Sequence, residues 1–293
     1  MTQQFSPAPT KPLKVAMIMT NLDDLGVQRV VINLYNHFDR TVVDPVLVLW
    51  QNAGKVAHFL APGNPVIETD SGLRKPRILF RLPVYRRIIK EIQADVILSF
   101  VPGTNVSMAL LRRAIPRRIP MVMCEHAFIS RAFASGEYSG AFKHLYRLMF
   151  KSMYNRVADR LVMTAEVGKT DVVQNWGIRP ENIEIIYNPQ DIAELQERAK
   201  APVEHAWLNA KDVPVLVAAG RLARQKGFDK LLAAVKLVSA KRPVRLLILG
   251  RGELEDELKR QCADQGLQDR VDFMGFQTNH LRYSARSDLV ILS

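Results

Sequence analysis

Residues Val213–Asp229, reading VPVLVAAGRLARQKGFD, constrain the fold of this chain more than any other segment. An apolar run of strand length passes through Gly220 into a turn carrying Arg221 and Lys226. A helical pattern then opens at about Phe228. A short buried strand that feeds a helix N-terminus is the building unit of an α/β protein. At such a turn the helix amides and dipole favour an anion, and fixed cations neutralise it. The segment therefore points to a fold class and to phosphate oxygens as a ligand.

The same idiom recurs along the chain. Apolar strands are predicted at 14–20, 46–50, 66–69, 95–99, 121–124, 160–164 and 183–186. Helical patterns intervene at about 27–38, 77–93, 142–156 and from 165 to Trp176, where Gly177 and Pro180 stop the last. In the first of these, Val30, Val31, Leu34 and His37 or Phe38 share a face. Beyond residue 188 the strands fall at 215–219, 244–249, 271–274 and 288–292, with helices at about 228–241, 252–265 and 278–286. Strands alternating with helices argue for parallel, doubly wound sheets. With 293 residues the chain exceeds the size at which one core usually divides. The expected organisation is a disordered segment 1–13, a first domain 14–187 and a second domain 188–293.

Charge is unevenly placed. The chain carries a net +12, and the window 74–118 alone nets +9, with eleven cations opposed by Glu91 and Asp95. The predicted helix 77–93 is basic on one side, through Arg81, Arg86 and Arg87, and apolar on the other. A concentrated cationic face points to an anionic partner. No nucleic-acid motif is present, and aromatic residues are not interleaved with the basic ones for base stacking. No stretch approaches the roughly 20 apolar residues that a spanning helix needs. Cys124 and Cys262, far apart in sequence, read as buried free thiols, and the chain as cytoplasmic.

The run Gly220-Arg221-Leu222 with Gln225-Lys226-Gly227-Phe228-Asp229 resembles the donor-site signature of retaining glycosyltransferase family 4. That resemblance implies the GT-B fold: α/β, with two Rossmann-like doubly wound parallel-sheet domains, the second incomplete here. It implies that Arg221 and Lys226 bind the diphosphate of a nucleoside-diphosphate sugar. The loop Leu25-Gly26-Val27-Gln28-Arg29 is similar to the family's Gly-Gly-x-Glu/Gln-Arg loop, with Leu25 in place of the first glycine. Gly26 then supplies an amide to the donor phosphate. In Cys124-Glu125-His126-Ala127, His126 matches a family histidine near the donor sugar and takes the catalytic role. Gly250 and Gly252 resemble the family's Gly-x-Gly segment lining the donor cleft, and Phe276 lies where the nucleotide base is flanked. Arg81, Tyr85, Arg86 and Arg87 fit the pattern by which membrane-associated members meet anionic lipid and a lipid-linked acceptor.

The implied reaction moves a hexose-type sugar to an acceptor hydroxyl of a glycan or lipid-linked glycan with retention. No metal or other cofactor is implied. The chain ends where the resemblance places the strand before a Glu-x7-Glu motif. Activity of this chain alone is therefore in question. A GT-B nucleotide-sugar epimerase or hydrolase, and a non-catalytic membrane- or polyanion-binding remnant, are the alternatives.

Overall fold

The computed structural model describes residues 11–292 except 24–25, 52–53, 55, 70–77, 117–118, 127 and 135–141. Side chains 78–81, 132–134 and 142–146 also lie outside the description. Most of the expected N-terminal segment, Leu25, the side chain of Arg81, and Arg74, Lys75, Arg77, Arg117 and Arg118 therefore fall outside the described residues. The chain divides into two compact units, Met1–Pro189 and Gln190–Ser293.

The first unit runs β1 (Leu13–Met19), α1 (Gly26–His37), β2 (Val43–Leu49), β3 (Val66–Glu68), α2 (Ile78–Ile92), β4 (Val96–Phe100), α3 (Pro102–Leu111), β5 (Met121–Glu125), α4 (Ile129–Ala134), α5 (Phe142–Ser152), β6 (Arg160–Met163), α6 (Glu166–Trp176) and β7 (Ile183–Ile185). Its seven strands are ordered β3-β2-β1-β4-β5-β6-β7, all parallel. Order reverses between β1 and β4. The register pairs Ile18 with Ser99, and Phe100 with Cys124.

Both faces of this sheet are covered, which is why its strands read as continuous apolar runs. Alternate residues serve opposite cores. Ala16, Ile18, Val48 and Ile97 pack with α2, α3 and α6, whereas Val15, Met17, Leu47 and Leu49 pack with Val31, Ile32 and Tyr35 of α1. The α1 face is thus centred one position away from the sequence expectation. Tyr35 is fully buried, Leu34 is half-buried, and His37 is exposed, its ring meeting the Asn33 carbonyl at 2.8 Å. The stop of α6 is as expected: Gly177 is left-handed at φ 65°, and Ile178 N–H donates to the Val172 carbonyl at 3.1 Å.

The second unit runs α7 (Ile192–Lys200), α8 (Ala206–Asn209), β8 (Val215–Ala219), α9 (Phe228–Ser239), β9 (Arg245–Leu249), α10 (Glu255–Asp264), β10 (Val271–Gly275), α11 (Leu281–Ser284) and β11 (Leu289–Ile291). Its four parallel strands are ordered β10-β9-β8-β11, and order reverses between β8 and β11. Phe228, Leu231, Leu232 and Val235 of α9 recur at helical spacing and bury one face against Leu246 and Ile248. Val215, Val217, Leu247 and Leu249 face the other way, toward Leu208 and Tyr283.

One expectation is corrected. Tyr85 does not lie on a surface: it is fully buried, its ring 6.1 Å from that of Trp50. Tyr85 shares the α2 face of Ile88, Ile89 and Ile92, and helical periodicity turns that face to the core. Arg86 and Arg87, on the other side, are exposed.

Candidate active-site edges

In an open α/β sheet ligands bind beyond the carboxyl ends of the strands, at the point where strand order reverses. Each unit has one such edge.

In the second unit the three turns after β8, β9 and β10 are bonded into one frame. Gly220 N–H donates to the Leu249 carbonyl at 2.9 Å, Gly250 N–H to the Gly275 carbonyl at 2.8 Å, and Leu222 N–H to the Arg251 carbonyl at 3.0 Å. The glycines are required by this stitching. A Cβ on Gly250, whose φ is +148°, would sit 1.9 Å from the Gly220 carbonyl oxygen, and one on Gly252 would sit 2.3 Å from that of Leu222. Gly250 and Gly252 therefore hold backbone against backbone, and their neighbours present the side chains.

On this frame Arg221 and Lys226 are both exposed. The Lys226 stem passes beside Gly220, within 4.0 Å of where a Cβ would stand. The α9 N-terminus follows at once. Gly227, left-handed at φ 67°, is its N-cap and offers no capping side chain, so the first amides of α9 remain available to an anion. Arg251, which the sequence pattern alone does not single out, lies against Gly275, 3.5 Å from its would-be Cβ. Its position between the two glycines was the readable signal. Phe276, just past Gly275, is 53 % exposed, an aromatic surface held at the same edge.

In the first unit Gly26 opens α1 after β1, and His126 follows β5; β4 lies between. Gly26 is exposed, and a Cβ there would meet nothing within 4 Å. Beside it Gln28 is buried, and its Oε1 has no partner among the described residues. The His126 ring is half-buried 6.3 Å from that of Phe100, and neither ring nitrogen has a hydrogen-bond partner among the described residues. Burial holds its pKa below the ordinary imidazole value, which favours a neutral ring.

Glu125 points elsewhere. Its side chain is fully buried, and Oε1 accepts from Asn105 Nδ2 at 2.8 Å and from the Tyr154 hydroxyl. Asn105 also donates to the Cys124 carbonyl at 3.1 Å and accepts from the Ser99 hydroxyl at 2.6 Å. Glu125 Oε2 has no hydrogen-bond partner among the described residues. Desolvation pushes the carboxyl up to about 7, with the Tyr154 and Asn105 hydrogen bonds opposing it. Cys124 is likewise pushed up to about 12 by burial and by Glu125, which leaves an inert thiol. The turn between β4 and α3 is strained: Val101 has φ 67° and ψ 149°, a conformation that side chains disfavour. It is tied by Asn105 N–H to the Val101 carbonyl at 3.0 Å and by the Thr104 hydroxyl to the Phe100 carbonyl.

Arg86 and Arg87 stand on α2, Arg86 near the amino ends of the first sheet's strands with Lys14 and Asp95; Arg87 pairs with Glu91 at 3.7 Å. Among the described residues no group of three His, Cys, Asp or Glu side chains is arranged to hold a metal ion, and no helix is long and apolar enough to cross a membrane.

The two sheets, each with its reversal point, form the GT-B glycosyltransferase fold. HepE of Anabaena, solved in complex with UDP-glucose, superposes with a TM-score of 0.69 at 20% identity, covering 95% of this chain and 73% of that one. Residues 26–194 match Glycosyltransferase Family 4 and residues 202–293 match Glycosyl transferases group 1. The chain belongs to glycosyltransferase family 4. An uncharacterized glycosyltransferase of Methanocaldococcus jannaschii is 26% identical over 224 residues, which are 74% of this chain and 54% of that relative. The N-acetylgalactosamine-N,N'-diacetylbacillosaminyl-diphospho-undecaprenol 4-alpha-N-acetylgalactosaminyltransferase of Campylobacter jejuni is 25% identical over 231 residues, 79% of this chain and 59% of that relative. The chain thus spans about half the length of the curated relatives it matches.

Proposed function

We propose that the protein transfers a hexose-type sugar from a nucleoside-diphosphate sugar to a hydroxyl of a glycan or lipid-linked acceptor, with retention at the anomeric carbon. The observation that carries this reading is the glycine-locked frame of the second unit, which presents Arg221 and Lys226 beside an uncapped helix N-terminus at the sheet's reversal point. Charge builds on the departing diphosphate as the glycosidic bond to it breaks. Cations already fixed in place stabilise that charge without reorganising, and the proposed chemistry draws on them instead of a metal. Gly26 offers an amide to the donor phosphate, His126 contacts the sugar as a neutral imidazole, and Phe276 flanks the base.

The Campylobacter relative is named for transfer to a diphospho-undecaprenol-linked sugar, which supports a lipid-linked acceptor. Such an acceptor places the enzyme at the cytoplasmic membrane face, with the exposed Arg86 and Arg87 turned toward anionic lipid. The test is turnover of nucleoside-diphosphate sugars by the full-length protein and its Arg221→Ala/Lys226→Ala variant, with the product's anomeric linkage read by NMR. Loss of turnover in the variant and a retained linkage support the reading. Unchanged kinetics in the variant overturn it.

A further inference from the structure

The first sheet has a second charged edge, at the amino ends of its strands. A groove of about 980 Å³ opens there, with Lys11, Lys14, Arg86, Lys90 and Arg113 around it. Lys14 lies at the start of β1, and Asp95 directly precedes β4. Strand β1 carries seven residues, so this edge is about 20 Å along the sheet from the edge that holds Gly26 and His126.

None of the five cationic side chains makes a hydrogen bond or ion pair among the described residues. Their immediate neighbours do: Arg87 pairs with Glu91 at 3.7 Å, and Arg112 pairs with Asp159 at 3.5 Å and donates to the Ile119 carbonyl at 2.7 Å. The one carboxylate lining the groove, Asp95, caps the sheet by accepting from Lys14 N–H at 3.0 Å. The floor is apolar, with Ile89 and Ile115 buried beneath the charged rim. Five like charges converging on one hollow repel one another, and an anion in the hollow relieves that repulsion.

We infer that this groove is a second anion site, which takes a diphosphate or similarly multivalent phosphate group, free or borne on a lipid headgroup. The net of four positive charges suits a group of several negative charges. Arginine forks and lysine ammonium groups are the side chains that bind phosphate oxygens. The volume is that of a small-molecule site and exceeds what a lone phosphate fills. The inference does not rest on the proposed glycosyl transfer, because the groove belongs to neither carboxyl edge.

The test uses the full-length protein carrying Arg221→Ala/Lys226→Ala, so that the donor edge does not contribute to anion binding. Inorganic pyrophosphate is titrated calorimetrically. In parallel, the protein is sedimented with phosphatidylcholine vesicles with and without phosphatidic acid, whose headgroup is a phosphate monoester. Adding Lys90→Ala and Arg113→Ala, both exposed positions, is expected to weaken binding about tenfold for each cation removed. Lys236→Ala, an exposed position on α9 outside the groove, leaves it unchanged. Thermal unfolding confirms that the variants fold, and Lys90→Gln alone serves if the double variant does not. Saturable pyrophosphate binding with this dependence assigns a free phosphate ligand, and binding only to phosphatidic acid vesicles with the same dependence assigns a lipid headgroup. Either supports the site. No saturable binding of either probe, or equal weakening by Lys236→Ala, overturns it.

Discussion

The carboxyl edges of the two sheets are built on opposite plans. In the second unit the backbone is buried against itself and the charge is exposed: Gly250 and Gly252 lock three turns together, and Arg221, Lys226 and Arg251 stand on the outside. In the first unit the charge is buried and the backbone is exposed. Glu125 is sealed beneath the edge with Asn105 and Tyr154, while Gly26 is exposed and the His126 imidazole is half-buried with both ring nitrogens covered. The difference fits the two tasks proposed. A departing diphosphate needs fixed positive charge, which stays cheap to hold only while solvated. A sugar ring needs shape and neutral polar groups, and a turn tensioned at Val101 over a buried network defines shape without presenting charge.

The largest expected effect breaks the plan of the second unit by removing its charge. Losing one preorganised donor costs about 10²–10³ in turnover. Arg221→Ala/Lys226→Ala in the full-length protein is therefore expected to lose at least that factor in kcat with its unfolding transition unmoved. An accompanying collapse in Tm would mean that the cations support the frame, and the contrast between the edges would fail.

The frame itself is broken by Gly252→Ala. The added methyl meets the Leu222 carbonyl at a distance no real contact allows, and the cost is about 3 kcal/mol in stability. Gly26→Ala is the matched control, since a Cβ there meets open space. It is expected to stay within about 0.5 kcal/mol of the wild type by denaturant melts, while raising the KM for the donor sugar if the donor phosphate approaches that amide. Equal stability loss in the two variants would erase the distinction between a glycine that packs and a glycine that leaves room.

These glycines also show how much was legible in the sequence. The strands and the cationic turn follow from local pattern, because period and turn chemistry are local; the reversal points rest on pairing between distant strands, and α3, α4, α7 and α8 were not anticipated. The roles of Gly250 and Gly252 were not separable from that of Gly26, since what a Cβ would strike depends on a loop some 30 residues away. Helix α3, not among the helices expected from sequence, opens at Pro102, where the missing N–H costs nothing. The cap of α7 was readable: Asp191 accepts from Glu194 N–H at 2.9 Å, in the Asp-x-x-Glu spacing. The network around Glu125 was not readable, because Asn105 and Tyr154 reach it across 20 and 29 residues.

The buried charge of the first unit is sharpened by pH. A carboxyl raised from 4.5 to about 7 by folding favours the folded state fully below the unfolded value, and that contribution is lost as pH climbs through about 7. The difference amounts to about 3 kcal/mol. Melts between pH 4.5 and 8 are expected to show the transition of the first unit falling with pH, and Glu125→Gln to flatten that slope while the second unit keeps its own. A slope that survives Glu125→Gln would show that the carboxylate is not the group responsible.

The smallest effect concerns the tension in the first edge, and it is one of order more than of size. Glycine inside ordinary structure is less stable than alanine by about 0.5–1 kcal/mol. At Val101, with φ 67° and ψ 149°, the ranking is expected to invert. Both Val101→Gly and Val101→Ala lose the half-buried side chain that packs beside Phe100. Only glycine also relieves the backbone, which is worth about 1–3 kcal/mol. Equilibrium unfolding of the pair should therefore place the glycine variant above the alanine variant by about 1 kcal/mol. The usual ranking, alanine above glycine, would mean that the turn carries no strain, and the first unit would then shape its edge by packing alone, as the second does.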